Sequence, residues 1–306
     1  MKSKTGDAVD SLSCIRDFIR WGVSRFTDES LFFGHGTDNA LDEALFLVLN
    51  SLHLPYDLPA DYFSSVLTQE ERKRVTGMIE RRISERKPAA YLTREALFAG
   101  LPFYVDERVL VPRSPIAELI KQRFEPWLEP GQVERMLDLC TGSGCIAIAC
   151  AYAFPGAEVD AVDISADALE VAEVNVRKHG LADRVHLLQS DLFGQLGEQR
   201  YDLIVSNPPY VSAEELEQLP DEYRFEPRVG LHGGESGLDC VQRILEGAAR
   251  HLADTGILIV EVGSSAETLQ NLYPYVPFYW LEFEHGGDGV FLLTAEQVKV
   301  FHQDGR

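Results

Sequence analysis

The chain has 306 residues, too many for one small domain, and its 45% hydrophobic and 25% charged content is that of an ordinary soluble globular protein. Its 49 acidic residues against 28 basic ones give a net charge of −21, a negative field that repels bare phosphate backbones and favours basic partners. The longest apolar runs, such as Ile257–Val260, fall far short of a membrane span, and the opening residues lack a signal pattern, so a cytoplasmic location is expected.

Helices are expected first, over residues 1–95. Apolar residues at Leu12, Ile15, Phe18, Ile19 and Val23 recur at helical spacing through "AVDSLSCIRDFIRWGVSRF". A second helix fits "NALDEALFLVLNSL" and a third "TQEERKRVTGMIERRIS", where Thr68 followed by Glu71 has the spacing of a capping box. Pro88 closes the helical region. Residues 96–114 are expected to link it onward through a β-hairpin turning near Gly100.

From about residue 115 to 306, short β-branched stretches alternate with helical ones. "RMLDLC", "AEVDAVD", "RVHLLQS", "YDLIVS" and "GILIVEVG" read as strands. Ser165 is placed to cap the helix "SADALEVAEVNVRKHG", and Gly180 lies just past its end. The alternation predicts an α/β fold with a doubly wound, mostly parallel sheet. The closing "YWLEFEHGGDGVFLLTA" predicts two antiparallel strands joined at a glycine-rich turn.

The chemistry is expected at the strand ends. Asp138 ends the first strand of this sheet, and Thr141, Gly142, Ser143, Gly144 and Cys145 lead into a helix. Small residues there let a ligand approach the backbone, and the run fits the fingerprint G-x-G-x-x-A. Asp163, at the end of the next strand, is suited to accept both hydroxyls of a ribose. Together these imply an adenosine-containing cofactor. Charge separates the two main choices. A dinucleotide presents a pyrophosphate that a further carboxylate would repel, whereas S-adenosylmethionine presents an ammonium and a sulfonium that Asp138 helps to hold. Asp191, after the third strand, is suited to accept from an adenine amino group. Ile164 and Leu192 follow these two acids and, with Asn207 after the fourth strand, are expected to line the same cofactor site.

The fourth strand delivers Asn207-Pro208-Pro209-Tyr210 to the same edge. A planar amide or exocyclic NH2 is a poor nucleophile because its lone pair is delocalised. The Asn207 side-chain oxygen and the Pro208 carbonyl are natural acceptors for its two N–H bonds, which aims the lone pair at the methyl carbon. Tyr210 is suited to stack on the flat group, and the prolines keep the acceptors rigid. Cys140, Cys145 and Cys150 are spaced five apart with no CxxC pair, so the expectation is reduced thiols, with neither a disulfide framework nor a zinc site.

These residues resemble the S-adenosylmethionine-dependent methyltransferases that modify amino groups conjugated to a planar system. The likeness to the HemK/Prm family of protein-glutamine methyltransferases runs along most of the chain. It takes in the helical start, the hairpin, the glycine loop, "VSNPPYVS", "FEPRVGLHGGESGLD" and "EVGSSAETL". Release-factor methyltransferases of that family show Pro-Arg-Pro-Asp-Thr-Glu where this chain reads Pro112-Arg113-Ser114-Pro115-Ile116-Ala117-Glu118. The latter resembles the branch that methylates a glutamine of the large-subunit ribosomal protein uL3. The resemblance implies cofactor contacts from Thr141 to Cys145, Asp163 and Asp191, and substrate contacts from Asn207 to Tyr210, with Arg113 nearby. Cys140 stands where many relatives have glycine. Two enzymatic alternatives remain: a methyltransferase acting on release factors, and a DNA adenine methyltransferase. The acidic surface counts against DNA and suits a basic ribosomal protein.

Overall fold

The computed structural model describes residues 4–304. Two compact units are present: residues 1–96 with Pro220–Phe225, and Leu97–Leu219 with Glu226–Arg306.

The first unit is helical, with α1 (Lys4–Ser11), α2 (Ile15–Asp28), α3 (Ala40–Ser51), α4 (Gln69–Glu85) and α5 (Ala89–Thr93). The single helix expected from Ala8 to Phe26 is broken at Leu12–Cys14. The cause is Asp17, whose carboxylate accepts the backbone N–H groups of Ser13 and Cys14, both at 3.0 Å, and so starts a new helix. Asn39 caps α3 and Thr68 caps α4, the latter through the reciprocal box with Glu71. Phe18, Phe26, Leu47, Val48, Val75 and Ile79 fill the core at the expected helical spacing.

A buried charge network also holds this unit. Arg82 is fully buried and donates to Glu43 at 2.7 Å and to the Phe32 carbonyl at 2.9 Å. Glu222, from the Pro220–Phe225 segment, lies 2.9 Å from Arg86 and 3.7 Å from Arg82, and accepts the Phe32 N–H at 3.1 Å. Buried charges persist only when paired this closely, so the segment is tied in by its carboxylate.

The strands β1 (Glu95–Phe98) and β2 (Leu101–Tyr104) form the hairpin expected around Gly100. Ala99 and Gly100 both take positive φ, which the tight turn between them requires.

The second unit is the α/β domain. Its strands are β3 (Arg135–Leu139), β4 (Glu158–Asp163), β5 (Val185–Gln189), β6 (Tyr201–Ser206), β7 (Leu252–Glu261), β8 (Tyr279–Trp280) and β9 (Val290–Thr294). They form one seven-stranded sheet in the order β5-β4-β3-β6-β7-β9-β8. The pairs from β5 to β7 are parallel, and β9 pairs antiparallel with both β7 and β8, as the closing segment predicts. The helices are α6 (Ile116–Lys121), α7 (Cys145–Ala153), α8 (Ala166–Lys178), α9 (Ala213–Gln218), α10 (Arg228–Leu231), α11 (Asp239–His251), α12 (Ala266–Leu272) and α13 (Ala295–Asp304).

Successive strand residues feed opposite cores. Met136, Leu203, Ile257 and Ile259 pack with α6 and α7, whereas Leu137, Ile204, Leu258 and Val260 pack with α11 and α13. Burial on both faces is what a parallel sheet needs, and it explains why these strands read as nearly continuous apolar runs. The strand order reverses direction between β3 and β6, and a ligand crevice opens at such a switch point. No helix among the described residues is long and apolar enough to cross a membrane.

Candidate active site at the sheet's switch point

Register places the reactive residues side by side. Leu139 of β3 pairs with Ser206 of β6, and Ser206 pairs with Val260 of β7. The Ser206 hydroxyl also donates to the Leu139 carbonyl at 2.8 Å, in a fully buried position. Asn207 therefore leaves the sheet beside the start of the glycine loop on one side and level with Glu261 on the other.

The loop is held by its two acids. Asp138 is completely buried, and its Oδ2 accepts from the Thr141 hydroxyl at 2.5 Å and from the Ala147 N–H at 3.1 Å. Its Oδ1 is buried without a hydrogen-bond partner among the described residues. Desolvation pushes this carboxyl up to about 7, against the pull of its two donors. Asp163 accepts the Gly142 N–H on one oxygen and the Ser165 N–H on the other, each at 2.9 Å, and burial raises it as well. Ser165 caps α8 as expected, accepting from Ala168. Gly142 and Gly144 take φ of +54° and +78°, and a Cβ on Gly142 would meet nothing within 4 Å. The loop is thus open at Gly142, and the strand that leads into it carries a buried carboxylate oxygen with no hydrogen bond among the described residues. A cationic, adenosine-bearing ligand fits that combination, so these residues suit S-adenosylmethionine.

The cysteines fit the same picture. Cys140 adopts φ +60°, which explains why glycine would be at ease there. Its sulfur lies 3.9 Å from that of Cys240, so its bulk is directed toward α11. Burial pushes the Cys145 thiol up to about 12, so it is a neutral helix-start residue. All five cysteines are free thiols.

The outer cofactor candidates stand differently. Asp191 is exposed and accepts from Arg243 at 2.7 Å. Ile164 is 55% exposed beside Asp163, while Leu192 is buried and takes φ +49°. Arg113 does not stand alone either. It donates to both oxygens of Glu226, at 2.5 and 2.8 Å, and Glu226 also accepts the Val111 N–H at 3.0 Å. This ion pair ties the Pro112–Pro115 segment to the chain that follows Phe225.

The Asn-Pro-Pro-Tyr turn is gripped from Pro209 onward. Asn207 is half-buried and Pro208 buried. The Tyr210 carbonyl accepts from the Ser265 hydroxyl at 3.1 Å, and Val211 exchanges backbone hydrogen bonds with Leu231 and Gly233. A Cβ on Gly233 would lie 2.6 Å from the Pro209 oxygen, and one on Gly237 only 2.3 Å from the Tyr210 oxygen. Gly263 approaches the Tyr210 ring as closely, and the Tyr210 hydroxyl donates to Glu261 at 2.8 Å. Sequence motifs alone give residues 233–237, Gly263 and Glu261 no role. The signal available was the glycine density of "LHGGESG" and the acid at the end of "ILIVE".

Comparison with known proteins agrees with this geometry. Residues 121–219, which hold the glycine loop and the Asn-Pro-Pro-Tyr turn, match the family model described as the methyltransferase small domain. The ribosomal protein uL3 glutamine methyltransferase of Xanthomonas campestris pv. campestris is 54% identical over 295 residues, covering 96% of this chain and 95% of that one. The protein of the same name from Francisella tularensis subsp. tularensis is 46% identical over 298 residues, covering 97% and 95%. Among solved structures, the hMettl16 catalytic domain in complex with a 3′UTR hairpin shares the fold. Its TM-score is 0.51 at 17% identity, over 78% of this chain and 86% of that one. Likeness at the level of the two curated relatives runs along nearly the whole of each chain, and the chain therefore belongs to the family of ribosomal protein uL3 glutamine methyltransferases.

Proposed function

We propose that the protein methylates the side-chain amide nitrogen of a glutamine in ribosomal protein uL3. The observation that carries this reading is the rigid Asn207–Tyr210 turn emerging beside an acid-lined glycine loop at the switch point of the sheet. When bound, S-adenosylmethionine supplies a methyl group made electrophilic by a positively charged sulfur. Asp138, Thr141 to Cys145 and Asp163 would hold it, with Asp138 taking the ammonium and Asp163 the ribose. Ile164, Asp191 and Leu192 complete the adenine side.

The chain's part in the reaction is orientation. The Asn207 carboxamide oxygen and the Pro208 carbonyl accept the two N–H bonds of the glutamine amide, which draws electron density toward its nitrogen and fixes the direction of the lone pair. Pro209 keeps the turn rigid, and the Tyr210 ring covers the flat amide. Fixing such geometry supplies up to about 7–11 kcal/mol of barrier lowering in favourable cases. Arg113 supports the substrate side through its pair with Glu226. The helical unit of residues 1–95 recognises the protein substrate, and residues 96–114 link it to the catalytic unit.

The net charge supports a basic protein substrate over DNA, since a duplex would have to approach against 49 acidic residues. Incubation with labelled S-adenosylmethionine, free uL3, release factors and DNA is expected to place the label on one glutamine of uL3. Asn207→Ala is expected to lower turnover by about a hundredfold or more while leaving cofactor affinity within about threefold. Label on a release factor or on DNA would overturn the substrate, and unchanged turnover in Asn207→Ala would overturn the mechanism.

A further inference from the structure

Glu261 ends β7 with its side chain almost entirely buried, and its two oxygens are divided between two hydroxyl donors. Oε1 accepts from Tyr210 at 2.8 Å and Oε2 from Ser114 at 2.5 Å. One donor belongs to the Asn-Pro-Pro-Tyr turn. The other belongs to the Pro-Arg-Ser-Pro segment, which departs from the release-factor pattern at this very residue. We propose that Glu261 is a positioning residue for the methyl transfer, fixing the Tyr210 ring over the substrate amide, with Ser114 as its second anchor. The inference rests on the reading of Tyr210 as the ring that covers the glutamine amide.

The surroundings leave the ring little choice. Along one edge near its hydroxyl end, Gly263 takes φ +46° and lies so close that a Cβ there would fall 2.6 Å from the Tyr210 ring. Gly289 in turn packs on Gly263, where a Cβ would lie 2.1 Å from its carbonyl oxygen. At its tip, the hydroxyl is bound by the carboxylate. A ring seated on backbone along one edge and bonded through its hydroxyl has a defined plane, which a stacking platform needs. Burying a carboxylate is unfavourable unless its oxygens are bonded, so Glu261 depends on both hydroxyls as much as they depend on it.

The anchor on the other side is equally defined. The Ser114 oxygen accepts the Ile116 N–H at 3.2 Å, at the start of α6. Its neighbour Arg113 is fixed by Glu226. A proline at position 114 would remove the hydroxyl and leave Glu261 with one donor fewer. The segment that separates the two branches is thereby wired to the substrate platform rather than to the cofactor loop.

The test is a double-mutant cycle of Tyr210→Phe and Glu261→Gln, read as kcat, KM for uL3, cofactor affinity and melting temperature. Each single variant is expected to lower kcat by about tenfold or more with cofactor affinity nearly unchanged, and the double variant to be no worse than the poorer single. A wild-type kcat in Glu261→Gln, or losses that multiply in the double variant, overturns the proposal. If Glu261→Gln fails to fold, the cycle of Ser114→Ala with Tyr210→Phe reads the same coupling by the same criterion. The ring is also read without substrate. Meta-fluorotyrosine at position 210 is expected to give a fluorine resonance that shifts and broadens in Glu261→Gln, and an unchanged line overturns the proposal. A changed ring in an enzyme that labels no glutamine of uL3 would uphold the positioning and sink the substrate reading instead.

Discussion

Asp138 has one oxygen bonded twice and the other bonded to nothing among the described residues, and desolvation pushes its carboxyl up to about 7. Its folded-state value lies above the ordinary 3.8, so the folded protein keeps a proton that the unfolded chain has lost. The stability from this group is therefore full below that ordinary value and declines as pH rises toward 7. An ammonium beside Oδ1 needs the ionised form. Cofactor affinity is thus expected to rise about tenfold per pH unit up to about pH 7 and then level off. Calorimetric titration at about pH 5.5 and about pH 7.5 checks this, with roughly thirtyfold weaker binding at the lower value. A flat profile would mean that Asp138 does not face the cation. Asp138, Asp163 and Asn207 stand out in the sequence as candidates because each is a polar residue at or beside the end of an apolar strand. Glu261 ends a strand in the same way, but its partners Ser114 and Tyr210 are set by sheet register and distant chain, which no local pattern carries.

At the level of elements, the turn after β6 owes its shape to glycines supplied from elsewhere. Gly237 takes φ +77°, and any side chain there would collide with the Tyr210 carbonyl and the Ser265 hydroxyl. Gly237→Ala is expected to cut kcat by about tenfold or more and to lower the melting temperature, while cofactor affinity holds. A variant with normal kcat would show that the turn does not need this wall. The strands, the antiparallel closing pair and the caps at Thr68 and Ser165 followed from local spacing, because each is decided by residues a few positions apart. The break before α2 did not. Periodicity ran unbroken through Leu12 and Ile15, and a single carboxylate at Asp17 outweighed it by capping the second helix. The short β8 and its place beyond β9 likewise depend on pairing that alternation alone cannot rank.

Charge is unevenly shared across the molecule. The helical unit, with Pro220–Phe225 included, has 14 basic and 17 acidic residues, whereas the catalytic unit has 14 and 32. On the proposed reading, long-range attraction of a basic substrate would belong to the catalytic unit, and recognition by the nearly neutral helical unit would rest on short-range contact. Leu41, Tyr62 and Val66 of that unit are more than half exposed. Replacing all three by alanine is expected to raise KM for uL3 by about tenfold while kcat and cofactor affinity stay near wild type. An unchanged KM would remove these residues from substrate recognition. The even mixture of charges over residues 1–95 is visible in the sequence, but the membership of Pro220–Phe225 is not. It depends on Glu222 meeting Arg82 and Arg86, and nothing in "PDEYRF" announces those partners.

That membership sets an order on biosynthesis. The helices up to Thr93 leave the ribosome early, with the Arg82 guanidinium already able to meet Glu43. Glu222 arrives only after the glycine loop and the Asn-Pro-Pro-Tyr turn have been translated. Until then the helical unit lacks the carboxylate that bonds Phe32 and pairs with Arg86, so the first-made part gains that bond only after β3 to β6 have been translated. The amino-terminal region is thus translated first and completed late.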